Sequence, residues 1–254
     1  MQGKKRFAFI CGVSRSGTTA MADLLRADPR IAMGRERYAF ILSSGAPYEP
    51  SLFEKDRFCL DHRPEDSHHK RAQPYYAELH ARFDQCTVVG DKLPNLFEGY
   101  ERVLDHFPSC RVIYMLRNVF HVAQSFQGRH DKAMEQNRDP ERPNSPWPEW
   151  RDWKRGVEEW NRSLEETAKR AASHDFHVFP YERMFAEDAL LERLFDYLGM
   201  PVDPAVRKSW DSAKATREEL EGSRSLRFRS EQMEWIMQHA RFDLYQELAA
   251  RCTV

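Results

Sequence analysis

The stretch "GVSRSGTT", from Gly12 to Thr19, has the residue types and the spacing of a loop that binds phosphate. Its glycines follow the G-x-x-x-x-G pattern, which lets the backbone turn tightly around an anion. Thr18 and Thr19 offer hydroxyl donors, and Arg15 offers a cationic fork. Thr18 stands where nucleotide triphosphatases have the Lys that reaches the β- and γ-phosphates. The loop is therefore expected to hold a nucleotide with a single phosphate-type group at its 5′ end.

A strand and a helix must position this loop. The apolar run "FAFIC", Phe7–Cys11, comes directly before it and predicts a buried strand. The segment "TAMADLLR", Thr19–Arg26, follows at once and predicts a helix. The N-terminus of a helix directs free N–H groups at a bound anion and adds about half a positive charge. Strand, loop and helix together favour an anion site over an ordinary turn.

The rest of the chain repeats this alternation. Short apolar segments bounded by polar or turn residues predict strands at Thr87–Val89, Val112–Leu116 and Phe176–Phe179, with a weaker pattern at Ile31–Met33. Amphipathic patterns predict helices at Leu96–Phe107, Trp153–Ala172 and Leu190–Leu198. These elements predict an α/β fold with a parallel, P-loop-NTPase-like sheet flanked by helices in three layers. We expect one domain over residues 1–254, with two long insertions at about 43–80 and 128–151.

Composition excludes several classes of protein. The chain has 254 residues, with 39 basic and 40 acidic side chains and a formal net charge of −1. That balance gives no reason to expect binding to nucleic acid or to a membrane surface. Five scattered cysteines, never spaced C-x-x-C, argue against a disulfide framework or a zinc ribbon and favour a reducing compartment. No signal peptide or apolar run of membrane-spanning length is evident, so a cytoplasmic location is expected.

Two basic residues follow predicted strands, at the carboxyl edge where ligands bind in sheets of this kind. Lys92 in "VVGDKLPN" comes just after the second clear strand, and Arg117 in "YMLRNVFHVAQSF" closes the third. An Arg fork matches phosphate geometry. Both residues are therefore candidates for contacts with a nucleotide or a transferred group.

The segment "GVSRSGTTAMADLLRADPRIAMGRE" resembles the 5′-phosphosulfate-binding loop and following helix of the PAPS-dependent sulfotransferases, whose loop commonly reads P-[KR]-[SA]-G-T-T. Those enzymes pass the sulfuryl group of 3′-phosphoadenosine 5′-phosphosulfate (PAPS) to a hydroxyl or amine and release the bisphosphate PAP. The resemblance runs in motif order from about residue 6 to 200. It implies that the 5′-phosphosulfate is bound by Arg15, Ser16, Gly17, Thr18 and Thr19.

The family binds the 3′-phosphate with an Arg at a strand end and a Ser eight residues later. Arg117 and Ser125 match this pair. The family's intervening R-N-P-x-D is "RNVFH" here, so the middle of the motif departs from the pattern. Tyr181 in "VFPYERM" resembles the Tyr that lies beside adenine in the family's V-x-Y-E-D-L.

The resemblance also implies the catalytic residues. The family's Lys-x-(x)-Pro matches Lys92, which would contact the leaving group or the transferred sulfuryl. In the steroid and phenol class a catalytic His follows two residues later, but this chain has Pro94 there. Another branch, with the tyrosylprotein sulfotransferases and some bacterial enzymes, uses a Glu in "G-x-E", and Glu36 in "MGRERY" matches it. Arg35 and Arg37 flank this Glu and would each hold a phosphate or a carboxylate.

Other assignments remain open at this point. A basic residue over the 3′-phosphate is expected from Arg224, Arg227 or Arg229, of which Arg229 is our choice. No metal is expected, because His62, His68 and His69 lack the helical spacing of a metal site. The acceptor would be a small molecule, a carbohydrate or a peptide that carries a hydroxyl, and the sequence does not predict an oligomeric state.

Two other functions are compatible with the loop. The first is a P-loop nucleotide kinase or other phosphotransferase, which Thr18 in the Lys position disfavours. The second is a non-catalytic nucleotide-binding module, which Glu36 and Lys92 disfavour because a degenerate site needs neither.

Overall fold

A five-stranded, all-parallel sheet forms the centre of the protein in the computed structural model, which describes residues 5–67, 73–139, 145–221 and 226–253. The sheet order is β2-β3-β1-β4-β5. The strands are β1 (Arg6–Cys11), β2 (Ile31–Arg35), β3 (Val88–Lys92), β4 (Arg111–Leu116) and β5 (Phe176–Pro180). The predicted α/β class and parallel sheet are confirmed. In this order β1 lies between β3 and β4, and the strands on its two sides follow one another in opposite directions. Ligands bind at the carboxyl end of such a switch point.

Helices cover both faces of this sheet and fill the rest of the chain. Helix α1 begins at Thr18, one residue before its predicted start. Within the described residues the α-helices are α1 (Thr18–Arg26), α2 (Ala39–Ser44), α3 (Lys55–Cys59), α4 (Gln73–Arg82), α5 (Tyr100–Leu104), α6 (Val119–Asn137), α7 (Trp153–Ala171), α8 (Asp188–Leu198), α9 (Pro204–Glu221), α10 (Ser230–His239) and α11 (Phe242–Ala250). Short 3₁₀ helices occupy Pro50–Phe53, Phe83–Gln85, Leu96–Glu98, Tyr181–Arg183 and Arg251–Thr253.

The core has two halves, one on each face of the sheet. Alternate residues of β1 belong to different halves: Phe9 and Cys11 to one, Ala8 and Ile10 to the other, and all four are fully buried. Helices α1, α8 and α9 complete one half, and helices α5, α6, α7 and α11 contribute to the other. Burial on both faces explains why the strands are continuous apolar runs rather than alternating ones.

Two predicted elements differ from the structure. The helix predicted over Leu96–Phe107 is divided into a 3₁₀ turn and α5, with the break at Gly99. Helix α6 extends to Asn137 and so takes up the first part of the segment predicted as an insertion at 128–151. In that part of α6 only Ala133 is buried, so the sequence has almost no apolar periodicity there to indicate a helix.

The segment predicted as the first insertion contributes to the core. Tyr48, Phe53, Phe58, Tyr76 and Leu79 are all buried in the half that contains Phe9. The four aromatic rings among these residues meet mostly edge to face. The ring centroids of Tyr48 and Phe53, for example, lie 5.9 Å apart. This region therefore packs against the sheet rather than extending away from it.

Alanine substitutions at two helical glycines should have opposite effects on stability. Alanine at Gly128, in α6, would meet nothing within 4 Å, whereas a Cβ at Gly156, in α7, would lie 2.9 Å from the buried ring of Phe126. Gly128→Ala should raise the free energy of unfolding by up to about 1 kcal/mol through helix propensity. Gly156→Ala should lower it by about 1–3 kcal/mol through overpacking. Urea unfolding of both variants checks this, and equal shifts would show that α6 and α7 are not packed as described.

Candidate active site

The loop between β1 and α1 has the backbone of an anion cradle. Gly12, Arg15 and Gly17 all have positive φ, of 141°, 72° and 97°. A Cβ at Gly12 would come within 2.6 Å of Ser16 Oγ, and one at Gly17 would overlap the ring of Tyr181. The two glycines are thus needed both for conformation and for space.

Where this loop meets α1, it presents two kinds of donor to a ligand: the first amides of the helix and the Ser16 hydroxyl. Gly17 is the N-cap of α1 and makes no side-chain capping bond, and the first helical hydrogen bond runs from Met21 N to Gly17 O at 3.1 Å. The amides of Thr18 and Thr19 precede that bond. The Ser16 hydroxyl is fully buried, and its Oγ has no hydrogen-bond partner among the described residues. A buried unpaired hydroxyl beside a helix N-terminus fits an anionic ligand.

The predicted 3′-phosphate pair lies against this same loop. Arg15 Nε donates to Ser125 Oγ at 2.9 Å, and an Arg117 amino group donates to the carbonyl oxygen of Arg15. The Arg117 guanidinium also stacks on the Tyr181 ring, 4.2 Å from its centroid. Four residues from three motifs therefore meet on one side of the loop.

Arg129 joins this cluster and was not predicted. It lies one helical turn after Ser125 on α6, so the two side chains share a face. The pKa of the Arg15 guanidinium is lowered, first by partial burial and then by the positive charge of Arg129. Arginines gathered at one loop favour a bound anion. The i, i+4 spacing from Ser125 was the available signal, but Arg129 falls in the segment predicted as an insertion.

Glu36 and Lys92 are in contact at the carboxyl edge of the sheet. In the register of β2 and β3, Arg35 lies opposite Lys92, so Glu36 is the first residue beyond the paired strand. Glu36 N donates to Lys92 O at 2.9 Å, and the Lys92 ammonium donates to Glu36 Oε1. Lys92 is 3% exposed. Glu36 has a φ of 57°, a left-handed conformation that is uncommon outside glycine and that turns the chain back over β3.

Comparison with known proteins decides the family. A sequence model described as "Sulfotransferase family" matches residues 8–204, which span the loop, Glu36, Lys92, Arg117, Ser125 and Tyr181. The chain belongs to the sulfotransferase family.

Two solved sulfotransferase structures, from the curacin biosynthetic pathway and from Mycobacterium tuberculosis, share the fold of this family member. The sulfotransferase domain from the curacin biosynthetic pathway is 14% identical with a TM-score of 0.56, covering 98% of this chain and 97% of that one. Sulfotransferase STF1 from Mycobacterium tuberculosis is 16% identical with a TM-score of 0.50, covering 99% and 77%. A mouse sulfotransferase solved in complex with PAP is 12% identical with a TM-score of 0.49, covering 99% and 91%. No curated protein sequence matches the chain.

Asp91 holds the turn that presents Glu36 in this sulfotransferase. Asp91 Oδ2 accepts a hydrogen bond from Tyr38 N at 3.0 Å, and the Arg37 amide also bonds to this carboxyl. The side chain is fully buried, and its Oδ1 has no partner among the described residues. Burial raises the pKa of Asp91 to about 7, against the opposing effects of the two amides and the Lys92 ammonium. No sequence pattern indicated this role, because an Asp beside a strand-end Lys is ordinarily exposed.

The two arginines that flank Glu36 both hold carboxylates. Arg35 pairs with Asp23 on α1. Arg37 is buried and donates to Asp66 Oδ2 at 2.8 Å, in a network that also includes Arg57. The sequence allowed either a phosphate or a carboxylate as the partner of each arginine, and in the structure both arginines bind a carboxylate.

The C-terminal arginines lie partly outside the described region. Arg224 falls outside the described residues. The backbone N of Arg227 donates to Gln124 Oε1 at 3.2 Å, next to Ser125. Arg229 is the N-cap of α10, and its backbone N donates to Gln232 Oε1 at 3.0 Å. No described contact joins Arg229 to Arg117 or Ser125, so its role stays a prediction, as does that of Tyr181 beside adenine.

The predicted histidine cluster is only partly described. His68 and His69 lie outside the described residues, and His62 contacts the Cys59 carbonyl at 3.0 Å. No group of three or more potential metal ligands occurs within the described ranges. In the same ranges, none of the helices combines the length and apolarity needed to cross a bilayer.

A cleft of about 280 Å³ opens beside Glu36, on the side of the loop away from Arg117 and Ser125. Helix α2 and the "LPN" segment after β3 form its walls. Ser14 also lines it, where its hydroxyl donates to Asn95 Oδ1 at 3.2 Å and accepts from Arg151 at 3.2 Å. The cleft thus connects the loop with the Glu36–Lys92 pair.

The raised pKa of Asp91 predicts a pH-dependent stability. A carboxyl whose pKa is raised by folding contributes stability that is complete below its unfolded pKa and lost as pH rises through its folded value near 7. The charged groups that face Asp91 are Lys92 and Glu36. The phenols of Tyr38, Tyr48 and Tyr76 also face it, and burial raises the pKa of each phenol far above neutral pH, so they stay protonated. The free energy of unfolding of the wild type, minus that of Asp91→Asn, should fall by about 2 kcal/mol between pH 5 and pH 8.

Chemical unfolding at the two pH values measures this difference. Asp211→Asn, on the exposed face of α9, removes one carboxylate without touching the site and serves as the control. A difference that does not change with pH would show that Asp91 is not buried in its protonated form.

Proposed function

We propose that this family member is a PAPS-dependent sulfotransferase that moves a sulfuryl group to a hydroxyl or amine acceptor, with Glu36 as general base and Lys92 as electrostatic catalyst. The observation that carries the proposal is the hydrogen bond between Arg15 Nε and Ser125 Oγ, together with the contact of Arg117 to the Arg15 carbonyl. These contacts bring the loop expected to bind the 5′ end of the nucleotide against the pair expected to bind its 3′-phosphate.

The residues present fit PAPS. The unpaired Ser16 hydroxyl and the α1 N-terminus, with Arg15, Gly17, Thr18 and Thr19, would hold the 5′-phosphosulfate. Arg117, Ser125 and Arg129 would hold the 3′-phosphate, and Tyr181 would pack beside the base. PAPS supplies the sulfuryl group when bound. No residue replaces the triphosphatase Lys, which agrees with a ligand that lacks β- and γ-phosphates.

Glu36 and Lys92 have complementary tasks in the transfer. Glu36 accepts the proton of the acceptor hydroxyl as that oxygen attacks sulfur, and a positioned base contributes about 10²–10⁴-fold in rate. Lys92 donates to the oxygen on which negative charge develops, where it acts in a nearly solvent-free position. Their contact keeps base and cation side by side, so that proton removal and charge stabilisation occur at neighbouring points.

The alternatives explain fewer observations. A P-loop phosphotransferase would lack its phosphate-reaching Lys and would leave the Arg117–Ser125 arrangement without a task. A non-catalytic nucleotide-binding module would have no use for a buried Lys92 held on Glu36, nor for Asp91 bracing the turn. We therefore keep the sulfotransferase assignment.

Nucleotide preference gives the first test of the function. We expect calorimetric titration without Mg²⁺ to show tight binding of adenosine 3′,5′-bisphosphate and at least tenfold weaker binding of ADP. Arg117→Gln should weaken bisphosphate binding by about 10–100-fold, since charge-assisted hydrogen bonds to phosphate contribute about 1.5–3 kcal/mol. The matched control is Arg111→Gln, because Arg111 opens β4 at the opposite edge of the sheet. Preference for ADP, especially with Mg²⁺, would assign the protein to the phosphotransferases.

The assignment of the base is tested separately. Glu36→Gln should lower kcat for sulfuryl transfer by about 10²–10⁴-fold and leave the affinity for the bisphosphate within about twofold of wild type. Transfer from labelled PAPS to a panel of phenols, alcohols and monosaccharides provides the assay. Glu101→Gln, on the exposed side of α5, is the charge-matched control. Transfer that survives in Glu36→Gln would show that another group removes the proton.

A further inference from the structure

The cleft beside Glu36 has one charge without a counter-charge. Four charged residues line it: Glu36, Glu98, Arg102 and Arg151. Glu36 pairs with Lys92, Glu98 pairs with Arg162 at 3.3 Å, and Arg151 pairs with Glu159 at 2.7 Å. Arg102 makes no ion pair with a described residue. The cleft therefore has a net positive charge at Arg102 that a ligand could neutralise.

The Arg102 guanidinium is held in place by backbone rather than by an acid. One of its amino groups donates to the carbonyl oxygen of Leu42, near the C-terminal end of α2. Its Nη2 and Nε lie 2.9 Å and 3.2 Å from where a Cβ of Gly99 would be, so the side chain lies across that glycine. A guanidinium has five N–H donors, and this arrangement leaves others for a ligand.

The remaining walls of the cleft are partly apolar. Their apolar side chains come from Ala39, Phe40, Leu42, Leu93 and Pro94, and their polar side chains come from Ser14, Ser43 and Asn95. Phe40 is 58% exposed, which is high for an aromatic side chain and fits a surface that a ligand covers. The cleft, at about 280 Å³, is at the small end of ligand sites.

Helix α2 sets the distance between the two polar ends of the cleft. Glu36 stands shortly before its first residue, and Arg102 binds near its last turn. Glu36 and Arg102 therefore lie toward opposite ends of α2. A ligand that reaches both must carry its hydroxyl and its anionic group at opposite ends of its body.

We propose that the acceptor is a small hydroxy acid with an apolar body, whose hydroxyl lies at Glu36 and whose carboxylate is bound by Arg102. This inference rests on the proposed function and adds the substrate class. A single uncompensated Arg matches one negative charge, and its planar fork matches a carboxylate. The apolar side chains of the walls match the body of such an acceptor.

A matched pair of probes tests the proposal. 3-(4-Hydroxyphenyl)propionate has the required phenol, apolar body and carboxylate, and its methyl ester differs only in charge. We expect the wild type, saturated with PAP, to bind the acid at least tenfold more tightly than the ester by calorimetry. With PAPS, the KM for the acid should be lower than that for the ester by a similar factor, with little change in kcat.

Variants of Arg102 separate recognition from a structural role. Arg102→Gln should weaken binding of the acid about tenfold or more and leave the ester within threefold, and Arg102→Lys should be intermediate because it keeps the charge without the fork. Arg170→Gln, on α7, removes one positive charge elsewhere and should change neither. Equal losses for acid and ester would mean that Arg102 only caps α2 and would overturn the proposal.

The remaining outcomes are equally decisive. If the wild type binds acid and ester equally, or binds neither, the acceptor class is wrong, even where PAP still binds and the proposed function stands. If PAP does not bind, the proposed function fails, while the comparison of acid and ester with the free protein still tests Arg102. Tighter binding of the phosphonate analogue than of the acid would replace the carboxylate by a phosphate-type anion.

Discussion

The contact between Lys92 and Glu36 depends on the parallel register of β2 and β3, and the candidate chemistry depends on that contact. Arg35 lies opposite Lys92, so the chain leaves β2 at the point where β3 presents its last side chain. The backbone of Lys92 then accepts the Glu36 amide while its ammonium binds the Glu36 carboxylate. One strand residue thus fixes the proposed base, Glu36, through two bonds of different kinds. Such rigid support by sheet edges gives the positional accuracy that proton transfer requires.

The loop after β1 lies between two regions of different character. Ser14 contacts Asn95 and Arg151, which line the cleft beside Glu36, whereas the next residue, Arg15, contacts Ser125 on the side proposed to bind the nucleotide. The positive φ of Arg15 makes this division possible, because it directs consecutive side chains to opposite sides of the turn. The loop therefore lies between the proposed acceptor cleft and the cluster of arginines proposed to bind the nucleotide.

Local patterns predicted the sheet and the loop but not the contacts between distant segments. Strands such as β1 and β4 are buried on both faces, so their apolar runs can be recognised in the sequence without knowing which strands lie beside them. A resemblance predicted catalytic roles for Lys92 and Glu36, but no local pattern indicated their contact, which joins residues far apart in sequence. Burial of Asp91 depends on a whole packed region, and no pattern in "VVGDKLPN" reports it. The second half of α6 was predicted as part of an insertion because it packs almost no apolar side chain.

The break at Gly99 shows how a departure from local pattern can accompany a site. The apolar spacing of Leu96–Phe107 favours one helix, but Gly99 has φ of −159° and interrupts it. The same glycine leaves the space across which the Arg102 guanidinium lies on its way to the Leu42 carbonyl. A continuous helix with a larger residue there would push this guanidinium away from α2. The broken helix and the position of the Arg102 guanidinium in the cleft therefore both depend on Gly99.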